Sequence, residues 1–196
     1  MEYKKMSEYT HEEFVNLLMN LSEEQVLELS AKRGGYPVLF RMALDERICH
    51  IPFIQTGAAI IIRNENGQIL LQERTDRKKW GLPGGCQDLG EDLRVTAVRE
   101  AYEETGIKLN LEDIELIDTL SGESRKNSYP NGDIVYNNTS LYVADVNMED
   151  ATGLKGDSET KRLQFFYPDE VPENLMDADL IKSYLSFIGK KRKMQY

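Results

Sequence analysis

Three glutamates, Glu100, Glu103 and Glu104, stand at i, i+3 and i+4 in the stretch Arg99-Glu100-Ala101-Tyr102-Glu103-Glu104-Thr105-Gly106. On a helix that spacing gathers three carboxylates in the last turn, where each like-charged pair costs about 0.2–0.5 kcal/mol. The negative end of the helix dipole disfavours each acid by a further ~0.3–1 kcal/mol. Nearby, only Arg94 and Arg99 offer relief. A helix that had only to fold would avoid this arrangement, so a cation is expected against the cluster. Three oxygen donors without a neighbouring His or Cys suit a hard ion such as Mg²⁺ or Mn²⁺. The competing reading is a solvated acidic face, and the surrounding residues decide between the two.

Those residues describe one helix and a tight approach to it. Gly84, Gly85 and Gly90 break the chain ahead of it, Glu91 and Asp92 lie near its N-terminus, and Gly106 stops it. Leu93, Ala97 and Ala101 recur every four residues with Val98 and Tyr102 beside them, which predicts an apolar face packed on a core. Gly85, Glu91, Arg99, Glu100, Glu103, Glu104 and Gly106 also fill, in register, the fixed places of G-x5-E-x7-R-E-U-x-E-E-x-G-U, with Ala101 and Ile107 at the U positions. The stretch therefore resembles the box of the Nudix hydrolases. Ala101 is smaller than the usual aliphatic residue there and predicts closer packing under the helix. The preceding Trp80-Gly81-Leu82-Pro83-Gly84-Gly85 is similar to the approach to such a box, and its glycines let backbone come close to a metal or phosphate.

The resemblance implies a fold, a reaction and roles. The fold is α/β (α+β), a Nudix-type α/β/α sandwich with a mixed sheet. The reaction is metal-dependent hydrolysis of the pyrophosphate bond in a nucleoside diphosphate linked to another moiety, with Mg²⁺ or Mn²⁺ as cofactor. The family roles place Gly85, Glu100, Glu103 and Glu104 at the metal, Glu91 in support through water or a salt link, and Arg99 as the group that orients the glutamates. The general base is either Glu100 or Glu159, the latter in the polar loop Gly156-Asp157-Ser158-Glu159-Thr160 ahead of a strand. A (d)NTP pyrophosphohydrolase, a non-catalytic nucleotide-binding regulator of the same fold and an acidic helix in an interaction protein are the alternatives.

Substrate contacts are sought beyond the box. Arg74 ends an apolar strand and, with Arg77, Lys78 and Lys79, stands directly before Trp80, so these cations are candidates for phosphate contact. Trp80 is a candidate for substrate binding. Tyr136 and Tyr129 flank a polar turn and offer rings on which a base would stack. Yet Ile134 and Tyr136 fall on one strand face, which favours a core or edge place for Tyr136. The segment from Tyr129 to Asn137 is similar to bacterial ADP-ribose and nucleotide pyrophosphatases.

The elements that must position these groups follow from period and turn chemistry. Two apolar strands, Thr56 to Arg63 and Gln68 to Arg74, flank Asn64-Glu65-Asn66-Gly67, a hairpin signal. Ile114 to Leu120, Ile134 to Val146 and Leu163 to Tyr167 read as further strands, with Pro130-Asn131-Gly132 as a turn between the first two. A closing helix runs from Ala178 to Ile188, with Asp177 as its cap and Leu180, Ile181, Tyr184, Leu185 and Ile188 buried; the tail from Lys190 to Lys193 is a cationic helix end. Residues 1–50 read as a helical extension to a main domain of 51–196. Capping boxes stand at Thr10/Glu13 and Ser22/Gln25, with an apolar stripe of Phe14, Leu17, Leu18 and Leu21, a stop at Gly34-Gly35 and a third helix from Tyr36 to Asp45. That extension packs on the main domain, covers the substrate or makes a homodimer.

Composition bounds the class. With 196 residues, 40% hydrophobic content and a formal charge of −10, the chain suits one domain plus an addition. The acidity argues against long nucleic acid as a partner and leaves a small nucleotide. The longest aliphatic run, Ala58 to Ile62, is too short to span a bilayer. A charged start without an apolar stretch makes a cytoplasmic protein without membrane contact the expectation. Cys49 and Cys86, without disulfide or metal spacing, are expected as free thiols.

Overall fold

Ala58 to Ile62 lack the alternation of a half-buried strand because both faces of this strand are covered. In the computed structural model, which describes residues 10–22, 24–26, 52–75, 77–129, 132–149, 151, 153–156 and 159–193, β1 spans Phe53–Asn64. Its even residues Ala58, Ile60 and Ile62 join one core with Ala97 and Ala101. Ala59 and Ile61 join a second core with Leu180, Ile181 and Tyr184. A sheet between two helical layers follows directly, and it is the sandwich that the sequence predicts.

The remaining strands are β2 (Ile69–Arg74), β3 (Trp80–Gly81), β4 (Gly84–Cys86), β5 (Ile114–Leu120), β6 (Lys126–Ser128), β7 (Ile134–Val146) and β8 (Thr160–Phe166). The helices are α1 (His11–Met19), α2 (Leu93–Thr105) and α3 (Ala178–Lys193). The order across the sheet is β3-β2-β1-β7-β5, with β4 on β1, β6 on β7 and β8 on β2. β1 and β7 run parallel in continuous register from Phe53↔Val135 to Asn64↔Val146, while β4 and β2 pair antiparallel with β1 and β5 with β7. The sheet is therefore mixed. The Asn-Gly turn forms as expected, with Gly67 at φ 79° and its N–H donating 2.9 Å to the Asn64 carbonyl.

Three expectations change. Tyr102, placed on the apolar face of α2, is 50% exposed, because the buried arc of that helix runs through Thr96, Ala97, Ala101 and Thr105 instead. Leu185, placed on the buried side of α3, is exposed, while Leu180, Ile181 and Tyr184 are buried. The turn at residues 130–132 joins β6 to β7 rather than β5 to β7: Lys126 pairs with Tyr136 and Ser128 with Ile134, a short polar strand with no apolar signal. Pro130 and Asn131 lie outside the described residues, as do Gly34-Gly35, Tyr36 to Asp45 and Cys49. Both capping boxes form: Thr10 with Glu13 opens α1, and Ser22 and Gln25 exchange the same pair of bonds. Phe14 is buried. Among the described residues no helix is long and apolar enough to cross a membrane.

Candidate functional site

α2 is held at both ends by residues read in the sequence. Asp92 caps it, accepting from the Arg94 N–H, and Gly106 closes it at φ 77°, a left-handed geometry that glycine adopts without penalty. Its small residues Ala97 and Ala101, both fully buried, bring the helix close over β1 and β4. Gly85 completes that approach: a Cβ there would stand 2.3 Å from Glu100 Oε1. Glycine at this place lets the Glu100 carboxylate rest against β4.

Arg99 is the hub of the acidic face. Its guanidinium donates to Glu91 at 2.9 and 3.0 Å, to Glu100 at 2.8 Å, to Glu103 at 3.1 Å and to the Cys86 carbonyl at 3.0 Å. These partners raise its pKa, the Glu91 bond most. Glu91 is partly buried, which opposes ionisation, but bonds from Arg99, Thr96 and the Asp88 N–H outweigh that and hold it below its ordinary value. Burial raises Glu100 despite Arg99.

Glu104 turns the other way. Only 4% exposed, it accepts the Gly84 N–H at 2.8 Å and stands 3.6 Å from Arg74 Nη1. Burial pushes its pKa up to about 8 against the opposing bonds from Gln72 and Gly84. Arg74 in turn holds Glu159 at 2.5 Å, whose carbonyl accepts the Thr75 N–H at 2.8 Å. One arginine thus joins a box glutamate to the downstream one, and Glu159, at 57% exposure, reaches this region from solvent. Glu103 is half exposed.

Among the described residues no three His, Cys, Asp or Glu side chains converge as a set that could hold a metal ion. In the arrangement seen, Arg99 Nη1 bridges Glu100 and Glu103. The donor chemistry nevertheless suits a divalent ion. Glu100 and Glu104 are desolvated oxygen donors; a hard cation is a partner that favours such a carboxylate in its ionised form.

Gly84, Gly85, Cys86 and Arg74 border a cleft of about 360 Å³, which places the box at its edge. The floor is made by the adjacent β1 and β7 positions Gln55, Gly57, Asn137 and Thr139. The far wall holds a charged group the sequence reading missed. Arg125, 12% exposed, donates to Asp179 at 2.9 Å and to Thr139 at 3.1 Å and lies 3.7 Å from Asp177. Burial raises the Asp177 carboxyl, Arg125 opposing. No local pattern marks Arg125, because its partners come from β7 and the start of α3. A larger cavity, about 580 Å³, lies where β1 and β7 end, beside Asn64 and Asp145 and the last box residues Gly106 and Ile107, whereas Gly84, Gly85 and Arg74, the neighbours of Glu100 and Glu104, line the smaller cleft.

The other candidates divide. Arg74 lines the cleft. Trp80 does not: it is 5% exposed in the second core, edge-on to Phe166 at 5.0 Å and under Arg162 at 4.8 Å. Tyr136 is half-buried beneath Lys126, 5.8 Å from its ring, and outside the cleft lining, whereas Tyr129 is part of it. Cys86 is a free thiol that accepts from Gln55, pushed up to about 11 by burial and then by Glu100.

A buried acidic helix held over a glycine-rich strand, at the edge of a cleft in a mixed sheet between helices, defines a class of nucleotide-processing folds. The NUDIX domain model matches residues 54–187, and the chain belongs to the Nudix family. A MutT-like protein of Streptomyces ambofaciens is 26% identical over 74% of this chain and 84% of its own length. An RNA pyrophosphohydrolase of Pelagibacter ubique is 39% identical over 35% of this chain and 42% of that protein. A Bacillus subtilis relative, 54% identical over 50 residues, is spanned over only 34% of its length. Among solved structures, the MutT protein of Methanosarcina mazei superposes with a TM-score of 0.56 at 21% identity, covering 72% of this chain and 97% of that one. The NUDIX domain of Shewanella oneidensis NrtR, complexed with ADP ribose, gives 0.54 at 17% identity over 85% and 98%. These likenesses carry the fold, and the members of this family generally use divalent metal ions.

Proposed function

We propose that this chain is a diphosphohydrolase that cleaves the pyrophosphate bond of a nucleoside diphosphate linked to another moiety, with Mg²⁺ or Mn²⁺. The observation that carries this reading is Glu104, buried against Gly84 at the edge of a cation-lined cleft, 3.6 Å from Arg74. Glu100, Glu103 and Glu104, with the Gly85 backbone, would hold the ion. Such an ion would offset the charge that spreads over the phosphoryl oxygens and would make the attacking water more acidic.

The chain's own groups do the rest. Arg99 fixes Glu91, Glu100 and Glu103 in one frame, so the carboxylates do not reorganise during the reaction. Arg74, between Glu104 and Glu159, receives a phosphoryl oxygen of the substrate. Water attacks one phosphorus, its proton passes to a carboxylate, and the bridging P–O bond breaks to release two phosphate esters. The proton acceptor is Glu100, set against β4, or Glu159, brought within reach through Arg74. Glu100→Gln and Glu159→Gln, assayed for kcat against pH, separate them: the base is the residue whose loss removes the acidic limb of the profile.

The test is a panel of ADP-ribose, sugar nucleotides, dinucleoside polyphosphates and nucleoside triphosphates with Mg²⁺ or Mn²⁺, alongside Glu104→Gln. One substrate cleaved by the native protein and spared by the variant bears the proposal out. Nucleotide binding without cleavage across the panel defeats it.

A further inference from the structure

Strand β2 turns a polar side chain into the core beneath α2. Leu70 packs there with Ala97 and Ala101, and two residues later on the same strand face stands the amide of Gln72, 1% exposed. An amide is costly to bury without partners, and this one is held throughout. Its backbone is fixed from both sides, paired with Gly81 of β3 and Leu163 of β8. Thr160 Oγ1 donates 2.9 Å to its Oε1, and the amide donates to the Glu104 carboxylate. Those two bonds set its direction. With Oε1 accepting from the threonine, Nε2 is the end that faces Glu104; the reverse orientation would set oxygen against oxygen.

Thr160 reaches this place through an irregularity in β8. Regular alternation would send residues 161 and 163 to one face of the sheet and 160 and 162 to the other. The register instead shifts between Glu73 and Arg74, so that Arg162 pairs with Glu73 and Thr160, rather than Lys161, pairs with Arg74. Lys161 and Arg162 both reach the Glu73 carboxylate, at 2.8 and 3.3 Å, two residues of β8 opposite one of β2. The extra residue turns Thr160 to the α2 face, where Gln72 and Glu104 lie, and bulges re-aim side chains in this way. The incoming chain keeps the hydroxyl there. A Cβ at Gly156 would stand 2.4 Å from Thr160 Cγ2, the Lys155 N–H donates 3.0 Å to the Thr105 carbonyl at the end of α2, and Thr160 Oγ1 lies 3.4 Å from the Glu104 carbonyl.

We propose that Gln72 is a positioning residue for Glu104 and that Thr160 directs it, so that the segment carrying Glu159 sets the aim of a box glutamate. The hydrogen bonds run from Thr160 to Gln72 to Glu104, beside Arg74, which joins Glu104 and Glu159 through charge. This rests on the reading of Glu104 as a ligand of the divalent ion: a carboxylate whose direction is fixed beforehand binds an ion better, and the groups that fix it count nearly as much as the ligand.

The test measures Mn²⁺ binding to the full chain by calorimetry, without substrate, for native protein, Glu104→Gln, Gln72→Leu, Thr160→Val, Thr160→Ser and the double variant Thr160→Val with Glu104→Gln, with melting temperatures alongside. Gln72→Leu and Thr160→Val lower the Mn²⁺ affinity roughly 10- to 100-fold, the effect of removing a group that holds a metal ligand. Thr160→Ser, which keeps the hydroxyl, stays within about threefold of native, well below that effect. In the Glu104→Gln background Thr160→Val has no further effect, because the group it directs is gone. Thr160→Val keeps the β-branched shape, so it decides the question if Gln72→Leu does not fold. A role in folding alone predicts lower melting temperatures with Mn²⁺ affinity within about twofold of native in the folded variants, and that result overturns the proposal. The two readings fail differently. Affinity unchanged in Glu104→Gln removes Glu104 from the ion and the positioning with it, whereas affinity lost in Glu104→Gln but kept in Thr160→Val and Gln72→Leu removes the positioning alone. Silence across the hydrolysis panel, with these affinity losses intact, removes the enzyme and leaves the positioning.

Discussion

The carboxylates on and just ahead of α2 come from one short stretch, Glu91 to Glu104; Glu91, Glu100 and Glu103 share one arginine, Arg99, while Glu104 faces Arg74. The charged group on the opposite wall of the cleft is assembled from separate parts of the chain: Arg125 before β6, Thr139 on β7, Asp177 and Asp179 at the start of α3. Both are arginine hubs with acidic partners in a partly buried place. The first is set by helical spacing, so the sequence displays it. The second exists only once the sheet and α3 have packed, so it is a product of the fold and also a test of it. The first hub is expected to govern chemistry, and the second the integrity and shape of the cleft.

The largest effect expected is on the α2 side. Glu104→Gln keeps an oxygen to accept the Gly84 N–H but loses the ionisable group, so the fold should stand while kcat falls at least about 100-fold, as when a preorganised electrostatic group is removed. Activity within about tenfold of native would take Glu104 out of the chemistry. Gly85→Ala attacks the same hub from β4. Its Cβ meets Glu100 Oε1 at 2.3 Å, so the carboxylate must shift, with a stability cost of about 1–3 kcal/mol for overpacking and a larger loss of rate. A kinetic assay beside a urea melt separates the two losses.

On the other wall the order reverses. Arg125→Ala leaves Asp177 and Asp179 without their cation in a partly buried setting and should cost about 1–3 kcal/mol in chemical denaturation. It should raise KM more than it lowers kcat. A kcat collapse with unchanged stability would erase the distinction between the two hubs and move Arg125 into the reaction itself.

How the two regions were read follows the same division. Helix α2, its caps and the Glu91-Arg99-Glu100-Glu103-Glu104 set were visible, because each depends on neighbours within a few turns. The apolar run of β1 announced a strand buried on both faces. Trp80 was misplaced toward substrate: adjacency to the glycine-rich loop suggested the site, whereas the ring's area is spent in the core against Phe166. Asp177 was read as a cap for α3. Its carbonyl does accept the Ile181 N–H, but its carboxylate lies 3.7 Å from Arg125 on the same wall of the cleft, a partnership that no local spacing encodes. The short strand β6, Lys-Asn-Ser, has no apolar residue and is held by pairing with β7, so no period reveals it.

The smallest effect expected sharpens the contrast through pH. Burial holds the Asp177 carboxyl above its ordinary 3.8, so the folded protein keeps this proton where the unfolded chain has released it. The folded state then binds more protons, and stability from this group is full below about pH 3.8 and falls as pH rises through the raised value. Glu91, held below its ordinary 4.5 by Arg99 and Thr96, has the opposite sign: its contribution is present above about pH 4.5 and is lost as pH falls through the lowered value. The difference in melting temperature between native protein and Asp177→Asn should therefore shift against the native protein as pH rises from about 4, and the difference between native and Glu91→Gln should shift in its favour. Parallel profiles for native protein and Asp177→Asn would mean that Arg125 compensates the buried acid fully. The far wall would then be as well balanced as the face around Arg99, and the two hubs would differ only in how their residues are spread along the chain.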